Sequence, residues 1–352
     1  MINNYLPQKS LKRTIIKILP IVIFICLFFT LLFLTIANKY EPSKEEISNN
    51  VSNNLSLSSP QKEDNEILSI NNIVYTELKP IKPISRPMSE NEFLEFSSKT
   101  YDEKLNILHN NKYNLEDRIK VFLSDDLDNI GLIYYNLDTG ENISINEDES
   151  FVAASVYKVG LNMYTYYLAN NRQVDLNDIV YYHEGDFEGG SGILQNEDYI
   201  GGRTVQELLD LSIIHSDNIS SNMLWRYLGG YYNFKYNLYD LLDVNYDVIE
   251  NNITPNIEFK ILKYIYDNRN NDNFAHMIDT MKNTIFNDRI TKYIPQDIVA
   301  HKIGDYGGAA NDVGIVFTDS PYILIIFTDL TSDSYEKIGQ VSKAIYDYNI
   351  FK

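Results

Sequence analysis

The sequence predicts an α+β fold: an antiparallel sheet flanked by helices, joined to an all-helical lobe, behind an N-terminal transmembrane helix. Two observations predict it. Strand-like segments fall into an early pair and a late set of three, with helical segments between them and one helix after them. Ile18 to Asn38 runs for 21 residues without a charge, which is long enough for a helix to cross a bilayer.

Lys9, Lys12, Arg13 and Lys17 precede that span, and residues 1–17 contain no acid. The excess of cations makes 1–17 a basic cytoplasmic tail and places the rest of the chain outside the cell. The uncharged run is longer than the apolar core of about 7–15 residues in a signal peptide, and Thr35-Ile36-Ala37 is a poor cleavage site. Residues 18–38 are therefore expected to be an uncleaved, single-pass anchor in the cell membrane. The lone cysteine, Cys26, falls within it, so no internal disulfide is expected, and no Cys/His cluster suggests structural zinc. Residues 39–113 read as an extracellular stalk: 39–90 are rich in Ser, Asn, Lys, Glu and Pro, with Pro80, Pro83 and Pro87 near the end. Within it, Phe93 to Leu108 is weakly amphipathic and suits a short helix leading into the folded unit.

A folded unit is expected over 114–352. Leu115, Ile119, Val121 and Phe122 mark a helix. Residues 130–135 and 142–145, around Asp138-Thr139-Gly140, form a hairpin. A helical run starts near Ala154. Thr204 to Glu207 is a capping box ahead of Leu208, Leu209 and Leu211. Thr254-Pro255 caps another helix, with proline in its first turn. Residues 298–303, 313–318 and 322–328 are strands, and 333–348 close the chain as a helix.

Charge narrows the partners. With 49 acidic against 30 basic residues the net charge is −19, which argues against nucleic acid and against adhesion to an anionic lipid surface.

Three short motifs carry chemistry. Ser155 and Lys158 are three apart on a helix, so the hydroxyl and the amine can meet across one turn. A desolvated lysine with lowered pKa can take the proton that makes a serine nucleophilic. The spacing alone means little, since Ser59/Lys62 and Ser334/Lys337 repeat it, but the apolar flanks Phe151-Val-Ala-Ala and Val159-Gly-Leu bury this copy. Ser216-Asp217-Asn218 lies at a break between helices, where it also makes an ordinary cap. His301-Lys302-Ile303-Gly304 sits on a late strand before Gly307-Gly308, and by itself reads as an edge-strand lysine and a turn. His109, His183, His215 and His276 lie outside any G-x-S-x-G elbow, so a Ser-His-Asp triad has little support. His301 points to the face opposite Lys302.

Together and in this order the motifs resemble the serine penicillin-recognising enzymes, specifically class A β-lactamases. Gly192-Ile-Leu, Asn222-Met-Leu and Gly307-Gly-Ala-Ala-Asn311-Asp312 fit as well. The resemblance covers Asn114 to Lys352 and implies a β-lactamase/transpeptidase-like fold. It implies a serine hydrolase acylated by a β-lactam or related amide or ester, with no metal or organic cofactor, and the span at 18–38 would make that hydrolase membrane-anchored. By the same resemblance Ser155 is the nucleophile, Lys158 its activator and Ser216 the proton relay to the leaving nitrogen. Asn218 holds the substrate amide, Lys302 faces the substrate carboxylate, and Gly304 lets a substrate lie close to the strand. The oxyanion hole is expected from backbone N–H groups at Ser155 and just past Gly304.

Two departures qualify this. The family deacylates with a glutamate on a loop after the second motif, and the only glutamate between Asn218 and Thr254 is Glu250, close to the loop's far end. Asp240, Asp243 and Asp247 are the other nearby acids, and without a base the acyl-enzyme would persist. Ile303 also replaces the threonine or serine hydroxyl that binds the substrate carboxylate, a bond to a charged group worth about 1.5–3 kcal/mol. Three functions therefore stand side by side: a monomeric β-lactam hydrolase, a D-Ala-D-Ala-type peptidase or esterase acting on peptidoglycan peptide, and a slow-deacylating penicillin sensor or non-catalytic surface protein.

Overall fold

The computed structural model describes residues 85–198 and 200–351. The expected basic tail, the anchor at 18–38 and Cys26 lie outside them; among the described residues no helix is long and apolar enough to cross a membrane.

Residues 85–113, assigned to the stalk on composition, are folded. α1 (Glu90–Ser97) and α2 (Tyr101–Leu108) each begin with a capping box, Ser89 with Glu92 and Thr100 with Glu103. α2 packs against α3 (Leu115–Phe122), burying Leu108, and the buried Arg118 donates to Leu108 O at 2.6 Å. The boundary expected at 114 therefore moves N-terminally. The segment reads as polar because α1 buries no residue and α2 buries only Lys104 and Leu108.

β1 (Ile130–Asn136) and β2 (Asn142–Ile145) form the expected hairpin. β3 (Phe151–Val152) leads through a tight turn into α4 (Tyr157–Asn170). β4 (Ile179–Tyr181) pairs with β5 (Gly202–Thr204), which runs into α5 (Val205–Ile214) through the Thr204/Glu207 box. α6 (Asn218–Tyr227) and α7 (Tyr231–Leu241) follow; α7 opens on Gly230 with no capping side chain, so nothing in the sequence announces it. β6 (Asn252–Ile253) pairs with β3, and α8 (Pro255–Asp267) starts at the Thr254 cap. After α9 (Asp272–Lys282) come β7 (Val299–Tyr306), β8 (Ala309–Val316), β9 (Tyr322–Thr328) and α10 (Ser334–Ile350).

The main sheet has the order β2-β1-β9-β8-β7, with every pair antiparallel. Side chains alternate between its faces. Val313, Ile325 and Phe327 join the core shared with the helical lobe, while Leu132, Leu324 and Ile326 join a second core with α3 and α10. Helices cover both faces, so β8 is buried along its whole length and β9 reads as an almost unbroken apolar run. β7 is left as an edge strand carrying the third motif.

Candidate active site

Ser155 lies half-buried in the turn Ala154–Val156 ahead of α4. Ala154 holds a left-handed backbone at φ +48°, an uncommon state for a residue with a Cβ. Such a conformation persists where its surroundings over-determine it. Here Ala153 N–H donates to Asn251 O (2.9 Å), Asn251 Nδ2 donates to Ala154 O (3.1 Å) and Asn311 Nδ2 donates to Val152 O (2.8 Å). The turn is thereby tied to the chain entering β6 and to β8.

Lys158, one turn later, is fully buried. Its Nζ donates to Ser216 O (2.6 Å), Asn218 Oδ1 (2.7 Å) and Ser216 Oγ (3.3 Å). Ser155 Oγ, the expected contact, is not among these hydrogen-bond partners. Burial pulls Lys158 down to about 7, against the opposing charges of Asp217 and Glu188. From β7, Lys302 Nζ donates to Ser216 Oγ (2.9 Å) and Ile303 O (2.8 Å). Burial and the nearby positive Lys158 push Lys302 well below the usual lysine range. Ser216 Oγ is thus where two lysines of depressed basicity meet.

The second motif is held from both sides. Ser216 takes φ +51°, and the buried Asp217 caps α6 by accepting from Ser220 N (2.8 Å). Its other oxygen accepts from Leu194 N at 2.9 Å. A Cβ on Gly192 would lie 2.1 Å from that oxygen, so only glycine allows the 192–194 turn to close there. Asn218 Nδ2 donates to Gly189 O at 3.0 Å.

Gly304 has a packing reason beside the close substrate approach expected of it. A Cβ there would lie 2.6 Å from Ala153 O and 3.2 Å from Ala154 Cβ. The space that glycine leaves is filled by the nucleophile's own turn, which lets β7 close on it. His301 faces away from Lys302, as its strand position predicts, and its Nδ1 pairs with buried Asp312 at 2.9 Å. Ile303 is buried on that same side.

Ser155, Lys158, Ser216, Asn218, Lys302 and Gly304 therefore converge, and Glu250 does not join them by hydrogen bond. It is exposed, and its backbone carbonyl is what the protein holds, accepting from Lys235 Nζ (2.6 Å) and Tyr231 OH (3.2 Å). The residue of this loop that touches the Ser155 turn is its neighbour Asn251, whose Oδ1 is buried without a partner. The sequence reading missed Asn251, Glu188 and Arg289. Arg289 is buried, and its Nη1 donates to Asn311 O (2.8 Å) and Gly304 O (3.5 Å) beneath the third motif. No local spacing signals these three, because each reaches the site through tertiary packing.

The fold is shared with solved structures. An acyl-enzyme complex of a PBP-A mutant with penicillin G matches with a TM-score of 0.60 at 22% identity, over 66% of this chain and 95% of that one. A TLA-1 extended-spectrum β-lactamase matches with a TM-score of 0.60 at 19% identity, over 67% of this chain and 98% of that one. In sequence, β-lactamase ROB-1 of Haemophilus influenzae is 31% identical over 102 residues, 29% of this chain and 32% of its own. The extended-spectrum β-lactamase PER-1 of Pseudomonas aeruginosa is 28% identical over 125 residues, 33% of this chain and 39% of its own. The chain thus spans about a third of the length of these relatives. A model of the beta-lactamase enzyme family matches residues 114–349, a stretch containing every group gathered around Ser216 Oγ, and the chain belongs to that family.

Proposed function

We propose that this protein is a membrane-anchored, extracellular serine hydrolase that β-lactams and related amides or esters acylate at Ser155, and that it releases the acyl group slowly. The carrying observation is the convergence of Lys158 and Lys302 on Ser216 Oγ beside the Ser155 turn. With Lys158 held at about 7, a large share of it is neutral at physiological pH and free to accept a proton. The Ser155 hydroxyl loses its proton to Lys158 as its oxygen bonds the carbonyl carbon. The amide C–N bond then breaks, and Ser216 passes a proton from the lysine pair to the leaving nitrogen. The backbone N–H groups of Ser155 and of the residue just past Gly304 support the oxyanion. Slow release follows from the loop before β6, which offers the Asn251 amide at the nucleophile's turn and leaves the Glu250 carboxylate in solvent. The basic residues 1–17 and the uncharged 18–38 support the anchor and its orientation.

Incubation with a fluorescent penicillin and intact-mass analysis test this reading. A stoichiometric adduct is expected that outlasts acylation many-fold and is absent in Ser155→Ala. No adduct on the wild-type protein would sink the acyl-transfer reading. Rapid multiple turnover would sink slow release alone and restore the plain hydrolase.

A further inference from the structure

The outer end of β7 carries a side-chain arrangement that the acyl-transfer steps do not use. Asp305 is exposed and lies two residues beyond Ile303 on the same side of the edge strand. Arg289 Nη2 donates to Asp305 Oδ2, and Tyr335 OH donates to Asp305 Oδ1 at 2.9 Å. The Arg289 guanidinium lies 3.9 Å from the centre of the Tyr335 ring, spends Nη1 on the Asn311 and Gly304 carbonyls, and has Asp288 Oδ1 3.3 Å from Nε. Its side chain is 1% exposed, whereas those of Asp305 and Asp288 are 41% and 52% exposed. The cation is sealed inside and its two counter-charges look outward. Lys302, the cation of the third motif, is fully buried and already donates to Ser216 Oγ and Ile303 O. Ile303 adds no hydroxyl. The edge of β7 beside Gly304 therefore offers an anion few unspent donors, and the exposed carboxylate of Asp305 lies close enough to Lys302 for its charge to act there.

We propose that Asp305, fixed by Arg289 and Tyr335, is a specificity-determining residue that turns this site against acyl donors bearing a carboxylate next to the scissile amide. Its preferred class is amides and esters whose corresponding end is uncharged, such as an esterified or amidated terminus. The inference rests on acylation at Ser155 and names the substrate class for that step. Like charges brought together at a partly desolvated surface repel, and the effect is screened by salt.

The test compares benzylpenicillin with its methyl ester as acylating agents of the full-length protein, following the Ser155 adduct by intact mass. The ester should acylate the wild-type protein about tenfold faster or more, and raising the salt concentration should shrink that ratio. Asp305→Asn should speed the free acid and bring the two rates together. The salt series keeps the test decisive if Arg289, deprived of its counter-ion, prevents that variant from folding. A wild-type ratio at or below one overturns the proposal. So does a ratio that neither salt nor Asp305→Asn moves. Absence of an adduct with both compounds overturns the acyl-transfer reading and this inference with it, whereas adducts that favour the free acid overturn this inference alone.

Discussion

Burial holds Lys158 at about 7, and the negative charges of Asp217 and Glu188 pull it back toward protonation. Asp217 is buried and caps α6, so removing it would disturb the fold, but Glu188 is exposed and accepts from Asn222 Nδ2 at 3.0 Å. Glu188→Gln takes away one of the two charges favouring the ammonium form and should lower the Lys158 pKa further. Acylation needs the neutral amine, so the acid limb of its pH–rate profile should move to lower pH in this variant. A limb that stays in place would show that Glu188 does not act on Lys158. The serine and lysine of the first motif were legible because they lie one helical turn apart. Glu188 was not, because it reaches Lys158 only after the 189–194 segment folds against the second motif.

At the scale of elements, the segment between α7 and β6 positions the nucleophile's turn. Lys235 of α7 anchors it: buried, pushed down to about 8 by desolvation, and set over the rings of Tyr231 and Tyr239 at 5.3 and 5.5 Å, it donates to Glu250 O. The backbone of Glu250 is thus fixed while its carboxylate is left outside. Glu250→Gln should change the rates of acylation and deacylation by less than about twofold, as surface substitutions away from the chemistry do. A large fall in deacylation measured by adduct decay would reinstate Glu250 as the base. Sequence spacing favoured Glu250 over Asn251 because it reports distance along the chain, and a one-residue difference reverses which side chain faces inward. The sheet was easier to read. β1, β2 and β9 fall within a residue of expectation because turn residues bound them, whereas β7 and β8 run closer together than their apolar cores suggested, through Gly307 and Gly308. Gly304 shows the opposite limit: the motif located it, but only packing showed that the nucleophile's turn closes against it.

For the whole molecule, a buried carboxyl works against stability. Glu258 in α8 is completely buried, neither carboxylate oxygen has a partner, and desolvation raises its pKa to about 8. Below about 4.5 both folded and unfolded chains hold its proton, and the group is neutral to folding. As pH rises toward 8 the unfolded chain releases the proton while the folded chain retains it, so stability is lost across that interval. The loss approaches a few kcal/mol at its upper end. Glu258→Met should therefore raise the denaturant midpoint, by more at pH 8 than at pH 5; an equal shift at both would mean the carboxyl ionises freely in place. The sheet with helices around it was legible from element order, because alternation and capping are local. The placement of 85–113 was not, since two short helices that bury so little leave almost no apolar pattern. That placement governs where the polypeptide can be shortened. A protein begun at Asn114, where the family match begins, would lack the Leu108 carbonyl that Arg118 uses and would uncover the apolar side of α3. One begun near residue 85 keeps both, and is the shortest version expected to remain soluble and folded.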